Sequence, residues 1–353
     1  MNTVELGPPA GRQAPEPHHA EASGLPYGAV MAAGAGSHAA DAAGVPAAGP
    51  VLLSVAIVLA VGVAVVGAVR MRAGRLDVRG RLSQLAALSI PIGLAVVGSG
   101  LARHGGVAAD CAVAVVVVSW GATVLIAARL VMVMVREGSG PGGVDGTWFL
   151  LPAAPLAGAI AVAGLADAGA AGSGAVVGWF AMGAAAAGAF GYAAVAVAAV
   201  ASTVRRAGRF RASVAWWISA GCAGLAAAAL GQASAISAIA PTLGDSWAVR
   251  WCVWVYVAVA SALLVPIIGT SAVYLAHRRR VSVHAPWPPT FSMGVYALGV
   301  GQADRLARDA ALQDWHRVAA AATLVLWAGT AAVQLYGTCR RQHECGSAGP
   351  PPD

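Results

Sequence analysis

The sequence predicts an all-α integral membrane protein with about ten transmembrane helices. Its 353 residues are 58% hydrophobic and only 10% charged, which is too little polar surface to cover a soluble globule. Apolar stretches of roughly bilayer-crossing length recur along the chain, separated by short polar connections. These observations place most of the chain in lipid.

The predicted spans follow one another between residues 25 and 336. Residues 1–24 hold prolines without periodicity and carry no signal peptide, so they are expected to form a disordered cytoplasmic leader. Residues 25–338 form the predicted transmembrane domain, and residues 339–353 an unstructured cytoplasmic tail. The predicted spans lie at residues 25–44, 51–69, 84–102, 111–135, 147–166, 174–204, 214–240 and 247–276, then from residue 286, and finally at 315–336.

The odd-numbered spans differ from the even-numbered ones in composition. Even-numbered spans tend to be longer or more continuously apolar, whereas odd-numbered spans are interrupted by glycine, proline, serine or glutamine. Backbone groups freed by such residues need protein or water partners in a bilayer, so we expect the odd helices to be the inner ones. The chain then forms five hairpins of one inner and one outer helix. The candidate helix breaks are Gly34, Pro91, Gly93, Pro152, Pro155, Gly221, Gly224 and Gly294.

The arginines set the predicted topology. The chain contains no lysine, so all 22 basic side chains are arginines. Sixteen lie in or beside the connections after the even-numbered spans and after the last span, and five lie on the opposite side. This positive-inside bias places both termini in the cytoplasm, and the cell membrane is the expected location. The arginines form no basic stripe with interleaved aromatic residues, so no nucleic-acid partner is expected.

The sequence shows no arrangement typical of an enzyme. No connection is long enough for a catalytic domain, and no span carries paired carboxylates, histidine clusters or serine and histidine together. Cys339, His343 and Cys345 match no zinc pattern, so neither a metal nor a cofactor is expected. His38, near the end of the first span, is the one titratable residue available on an inner helix, although a histidine there is more typically solvated.

The ninth span is a poor lipid-facing helix. Ser292, Gly294, Tyr296 and Gly299 stand among fewer large apolar residues than acyl chains favour, so this helix belongs inside a bundle. Its beginning, residues 287–299, is the last of five segments whose order and spacing matter together. The other four are residues 26–34, Asp77 before the third span, residues 148–152 with Pro155, and residues 216–221. Together they resemble the tellurite-resistance/C4-dicarboxylate transporter family, which includes fungal sulfite and malate exporters and plant slow-type anion channels.

The resemblance implies a specific architecture. Members of this family have ten helices in five hairpins around a central pore, usually in a homotrimer with one pore per subunit. A phenylalanine on the ninth helix occludes the pore, and Phe291 stands at the matching position. Ser292 follows it where many members have proline, which puts the kink of this helix in question.

These observations together predict the membrane transport of small anions, such as a C4-dicarboxylate, sulfite, tellurite or an inorganic anion. The pore is expected to be uncharged, because no arginine falls within the predicted inner spans. Backbone N–H groups and half-helix dipoles at the breaks would supply selectivity, and the small residues there would line the pore and set its width. Two alternatives are a proton-coupled dicarboxylate or sulfite carrier using His38 and a non-transporting membrane scaffold.

Overall fold

The structure, a computed structural model, describes residues 25–72, 85–137, 144–170, 174–205, 216–244, 246–277 and 287–347. All regular secondary structure within these ranges is helical, which confirms the all-α prediction. The predicted leader and several arginines of the predicted cytoplasmic connections lie outside the described residues. These arginines are Arg75, Arg79, Arg81, Arg206, Arg209, Arg211, Arg278, Arg279 and Arg280.

Each predicted span coincides with one helix of the described residues. The helices are α1 (Leu25–Ala42), α2 (Ala48–Arg72), α3 (Ser89–Ala102), α4 (Gly106–Glu137), α5 (Leu150–Asp167), α6 (Ala175–Arg205), α7 (Trp217–Ser234), α8 (Trp247–His277), α9 (Trp287–Ala307) and α10 (Ala310–Ser347). A 3-10 helix, Gly146–Phe149, leads into α5, and a single turn, Ala240–Leu243, precedes α8. Because α10 continues to Ser347, the tail expected to be unstructured is helical up to that residue.

Seven helices of the described residues are long and apolar enough to cross a membrane. The seven are α2, α3, α4, α5, α6, α8 and α10. The other three, α1, α7 and α9, are rich in alanine, glycine and polar residues, which lowers their hydropathy. Seven such helices are consistent with a multi-pass membrane protein.

Burial differs sharply between odd and even helices. The most apolar stretches of α3 and α5 are 72% and 83% buried, against 17% for both α2 and α4 and 22% for both α8 and α10. In α7 every residue except Ile218 and Gln232 is buried. The even helices instead expose large apolar side chains such as Val58 and Leu125. An exposed apolar surface of this kind suits a lipid environment rather than water.

Small residues bring α7 and α9 into backbone contact. A Cβ atom added to Gly224 would lie 2.7 Å from Cα of Tyr296, and one added to Gly299 would lie 2.7 Å from the carbonyl oxygen of Gly224. Helices approach this closely only where side chains are minimal. Ser292 adds a hydrogen bond between the two helices, because its hydroxyl donates to the Trp217 carbonyl at 2.7 Å. Ser292 therefore joins α9 to α7.

Candidate functional site

A narrow cavity lies where all five odd helices meet. Its volume is about 10 Å³, which is room for about one water molecule. Its lining is almost wholly apolar. The lining residues are Ala35 and His38 of α1, Val96 and Ser99 of α3, Ala157 and Ile160 of α5, Leu225 of α7, and Val295 and Leu298 of α9.

A wider cavity of about 460 Å³, which we call the vestibule, adjoins the narrow one. His38 and Ser99 line both cavities, so the two cavities lie next to each other. On α3, α5, α7 and α9, the vestibule residues follow the narrow-cavity residues in sequence, and on α1 His38 lines both cavities after Ala35, so these helices run in the same direction. The polar vestibule residues are His38, Ser99, Arg103, Asp167, Gln232, Gln302 and Arg305.

Phe291 lies on the face of α9 that lines both cavities. Val295 and Leu298 line the narrow cavity, and Gln302 lines the vestibule. Phe291 precedes Val295 by four residues, so it continues the same helical face toward the start of α9, about 6 Å further along the helix axis. Its side chain is only 2% exposed. The phenylalanine expected to be a gate therefore lies beyond the narrow cavity, on the side opposite the vestibule.

The glycines predicted to line a pore lie at contacts between helices. A Cβ atom on Gly34 would lie 2.5 Å from Cγ1 of Val96, and one on Gly93 would lie 3.3 Å from Cγ1 of Val30, which joins α1 to α3. Gly294 packs against Ala35 of α1 and Thr323 of α10. Gly221 and Gly224 face Ser292 and Tyr296 of α9. None of these five glycines lines the narrow cavity or the vestibule.

The helices show no break at the described glycines or at Pro155, whereas a turn at Leu88 separates helical residues 85–87 from α3, one turn before Pro91. Pro91 and Pro152 are each the third residue of their helix, in the first turn, where proline is tolerated because the N–H group it lacks has no helical partner in any case. Pro155 lies inside α5, and the helix nevertheless continues to Asp167. The helices also run unbroken through the glycines. The backbone at these glycines and at Pro155 is therefore helical in the structure.

The expectation that no arginine lies on an inner helix is wrong. Arg305 lies within α9, and it lines the vestibule together with Arg103, which follows the last residue of α3. Nη1 of Arg103 lies 3.5 Å from a carboxylate oxygen of Asp41. Burial lowers the pKa of Arg103, whereas Asp41 opposes this change. A guanidinium is effectively always protonated in proteins, so Arg103 keeps its charge at neutral pH.

Arg305 is held at the ends of two inner helices. Its Nε donates to Oε1 of Gln302 at 2.9 Å, and a terminal nitrogen donates to the carbonyl of Gly231 near the end of α7. Asp167, at the end of α5, interacts electrostatically with Arg305. The vestibule therefore contains fixed positive charge beside compensating carboxylates and helix C-terminal carbonyls.

His38 is not solvated as the sequence suggested. Its Nε2 atom is buried and has no hydrogen-bond partner within the described part of the chain. Sequence reasoning missed this because the atoms that cover His38 belong to helices far away in the chain. It also missed Gln302, although its spacing of three residues from Arg305 near the end of an inner helix is a usable signal.

No protein-family model matches this chain, and no curated protein matches it in sequence.

Proposed function

We propose that this protein conducts small anions across a membrane along the axis enclosed by α1, α3, α5, α7 and α9. The ten helices form five hairpins, each with an inner odd helix and an outer even helix facing lipid or a neighbouring subunit. This proposal adds α1, α7 and α9 to the seven candidate membrane spans. These three helices are buried among the others, so they can be less apolar than helices that contact lipid.

One observation carries the proposal. The narrow cavity and the vestibule are each lined by all five odd helices, and they succeed each other in the same order along α3, α5, α7 and α9, while His38 of α1 lines both. A ligand pocket between two or three helices would not be lined by all five odd helices at two successive levels. Two cavities in series, enclosed by the same five helices, are the arrangement expected of a closed conduction path.

Phe291 is the gate in this proposal. The narrow cavity holds about one water, so the path is closed to any hydrated anion in this state. Phe291 stands beyond that cavity on the same face of α9. An apolar constriction can close a pore by excluding water. Movement of this ring and of the apolar residues next to it would open the path.

The vestibule supplies the preference for anions. Arg103 and Arg305 place positive charge at one mouth of the path. Asp41 and Asp167 compensate much of this charge, so the arginines favour an anion chiefly through N–H donors that can bond it directly. The apolar lining further in binds anions weakly, which suits conduction because an ion must leave as well as enter.

The remaining parts of the proposal concern assembly and orientation. From the arginine bias we propose that both termini lie in the cytoplasm of a cell-membrane protein and that the vestibule faces the outer side. Trp247, Trp251 and Trp315 are exposed near the same end of the outer helices, as expected of an interfacial aromatic belt. The resemblance to the tellurite-resistance/C4-dicarboxylate transporter family suggests a homotrimer, for which the exposed even helices offer the surface.

Flux measurements in proteoliposomes test this function. We expect at least one of nitrate, chloride, sulfite and malate to cross faster than in protein-free liposomes. Ala157→Leu adds bulk to the narrow cavity and should abolish the flux. Ala187→Leu adds the same bulk on the exposed surface of α6 and should leave it unchanged.

Two outcomes would contradict the proposal. One is a folded, reconstituted protein that passes none of the four anions, which would favour a membrane scaffold. The other is an Ala157→Leu variant with undiminished flux, which would place the path elsewhere. A flux that occurs only in the presence of a pH gradient would identify a proton-coupled carrier instead.

A further inference from the structure

Tyr296 has the largest fully buried side chain of the described residues, with an exposure of 1%. It follows Val295, which lines the narrow cavity, by one residue of α9. Neighbouring residues of an α-helix point about 100° apart, so Tyr296 points away from the cavity that Val295 faces. Its hydroxyl reaches α8 and α10, the two outer helices that pack on α9. Tyr296 therefore connects a cavity-lining helix to both of its outer neighbours.

The hydroxyl of Tyr296 is the middle of a hydrogen-bond chain across three helices. Nε1 of Trp315 on α10 donates to the tyrosine oxygen at 2.7 Å. Oγ of Ser261 on α8 lies 2.8 Å from the same oxygen and donates its own proton to the Val257 carbonyl at 2.8 Å. Tyr296 is then the donor to Ser261, so the tyrosine hydroxyl both donates and accepts. The two outer helices thus hold α9 through this one hydroxyl group.

Trp315 turns its N–H group inward although the residue is 49% exposed. The ring of an interfacial tryptophan commonly lies at headgroup level, where one end of the side chain is wet. Because Trp315 is half exposed, burial does not force its N–H group to pair within the protein. Its hydrogen bond to Tyr296 is therefore a specific contact between α10 and α9.

The contact between α9 and α7 offers little resistance to rotation at the level of Tyr296. Gly224 of α7 lies against the backbone of Tyr296, and Gly299 lies against the carbonyl oxygen of Gly224. Glycine has no side chain that could interlock with the facing helix. The directional hydrogen bonds of the Tyr296 hydroxyl supply a restraint on the rotation of α9 at this level.

Opening the narrow cavity requires α9 to move. The cavity volume is about 10 Å³, and Val295 is 1% exposed and has a stiff, β-branched side chain. The end of a long side chain lies at least about 5–6 Å from the axis of its helix. A rotation of α9 by about 30° would therefore move the Tyr296 hydroxyl by about 3 Å, which is more than a hydrogen bond tolerates. Such a rotation breaks both of its bonds.

We propose that Tyr296 is a positioning residue whose hydroxyl holds α9 in the rotation that closes the conduction path. Its bonds to Ser261 and Trp315 keep Val295 and Leu298 in the narrow cavity, and these bonds break when the path opens. The inference rests on the proposed function and adds the contacts that regulate it. These contacts lie between α9 and the outer helices, away from the cavity itself.

Flux in liposomes tests the role of each hydrogen bond. One hydrogen bond shifts an equilibrium constant by roughly two- to tenfold. Since the closed state predominates in this proposal, flux follows the open fraction. Ser261→Ala and Trp315→Phe each remove one bond and should each raise flux roughly two- to tenfold. Tyr296→Phe removes both bonds and should raise flux at least as much. Adding Ser261→Ala to Tyr296→Phe should give no further rise, because the shared bond is already absent.

Thiol labelling reports the position of α9 without transport. In a full-length variant that lacks the native cysteines, Leu298→Cys places a thiol in the narrow cavity. A small methanethiosulfonate reagent, added to the purified protein in detergent, should modify this thiol roughly two- to tenfold faster when Tyr296→Phe is also present.

Tyr256→Phe is the matched control. It removes a phenol hydroxyl of α8 that donates to the Ala189 carbonyl of α6 at 2.7 Å. Tyr256 lines neither cavity. The control therefore loses an interhelical hydrogen bond of the same kind without releasing α9. It should change neither the labelling rate of Leu298→Cys nor the flux.

An unchanged labelling rate in folded Tyr296→Phe would overturn the inference, and so would a Tyr256→Phe control that accelerates labelling as much. If Tyr296→Phe does not fold, Ser261→Ala and Trp315→Phe decide instead, and unchanged labelling in both overturns it. Because labelling does not depend on transport, the two proposals can fail separately. Faster labelling without flux in the wild type or any variant would refute only the conduction path. Wild-type flux with unchanged labelling in the variants would refute only the role of Tyr296.

Discussion

Truncation of Phe291 to alanine tests both the gate and its packing. The ring is 2% exposed and lies one helical turn before Val295 of the narrow cavity. Removing a buried phenylalanine ring costs on the order of 3–5 kcal/mol when the surroundings do not collapse. The same removal opens space at the end of the narrow cavity. Phe291→Ala should therefore lower the melting temperature and raise anion flux together, and Phe291→Leu should produce a smaller rise in flux.

Phe149 offers a matched control for this prediction. Its ring is also 2% exposed, and its centroid lies 5.3 Å from that of Tyr192 and 6.4 Å from that of Trp216. It lines neither cavity. Phe149→Ala should therefore destabilise the protein by a similar amount, on the order of 3–5 kcal/mol, without raising flux. The comparison separates a general loss of packing from the opening of a path.

The assay compares initial anion flux in liposomes that contain equal amounts of folded protein, with melting temperatures measured in the same detergent before reconstitution. The reasoning is refuted if Phe291→Ala loses stability and passes anions no faster than the wild type, since Phe291 is then an interhelical packing residue. It is equally refuted if Phe149→Ala raises flux as much, because leakage through a loosened bundle would explain both results.

Three further predictions concern packing, topology and assembly. Gly224→Ala should cost about 1–3 kcal/mol, measured as a lower melting temperature, because its Cβ would lie 2.7 Å from a backbone atom of Tyr296; Gly62→Ala, with nothing within 4 Å, should show no such loss. A reporter fused after Arg340 should be cytoplasmic, and a cysteine placed near Asp167 in a cysteine-free variant should react from outside; the reverse pattern would invert the topology. Native mass spectrometry in mild detergent should show trimers, and monomers under every lipid condition would count against that assembly.

The amino-acid sequence alone determined the helical class and the approximate bounds of the helices. In a bilayer every backbone polar group must form its hydrogen bonds within the protein. Long apolar stretches such as those of α4 and α8 are therefore expected to be helical. Composition also anticipated the burial contrast, because large exposed aliphatic residues concentrate on even helices. Composition also indicated that Phe291 lies on a helix of small and polar residues inside the bundle.

Only the tertiary structure decided what lines the cavities. Arg103 and Arg305 stand far apart in the chain, and they share the vestibule because five parallel helices end together there. The sequence suggested that the glycines and prolines interrupt helices. In the structure Gly34 and Gly224 instead lie at contacts between helices, because a residue without a Cβ atom allows close packing as well as bending. His38 looked solvated near the end of a short span, but its Nε2 is buried in the folded protein. Burial and partners depend on which distant residues pack against a side chain, and no local pattern of hydropathy contains that information.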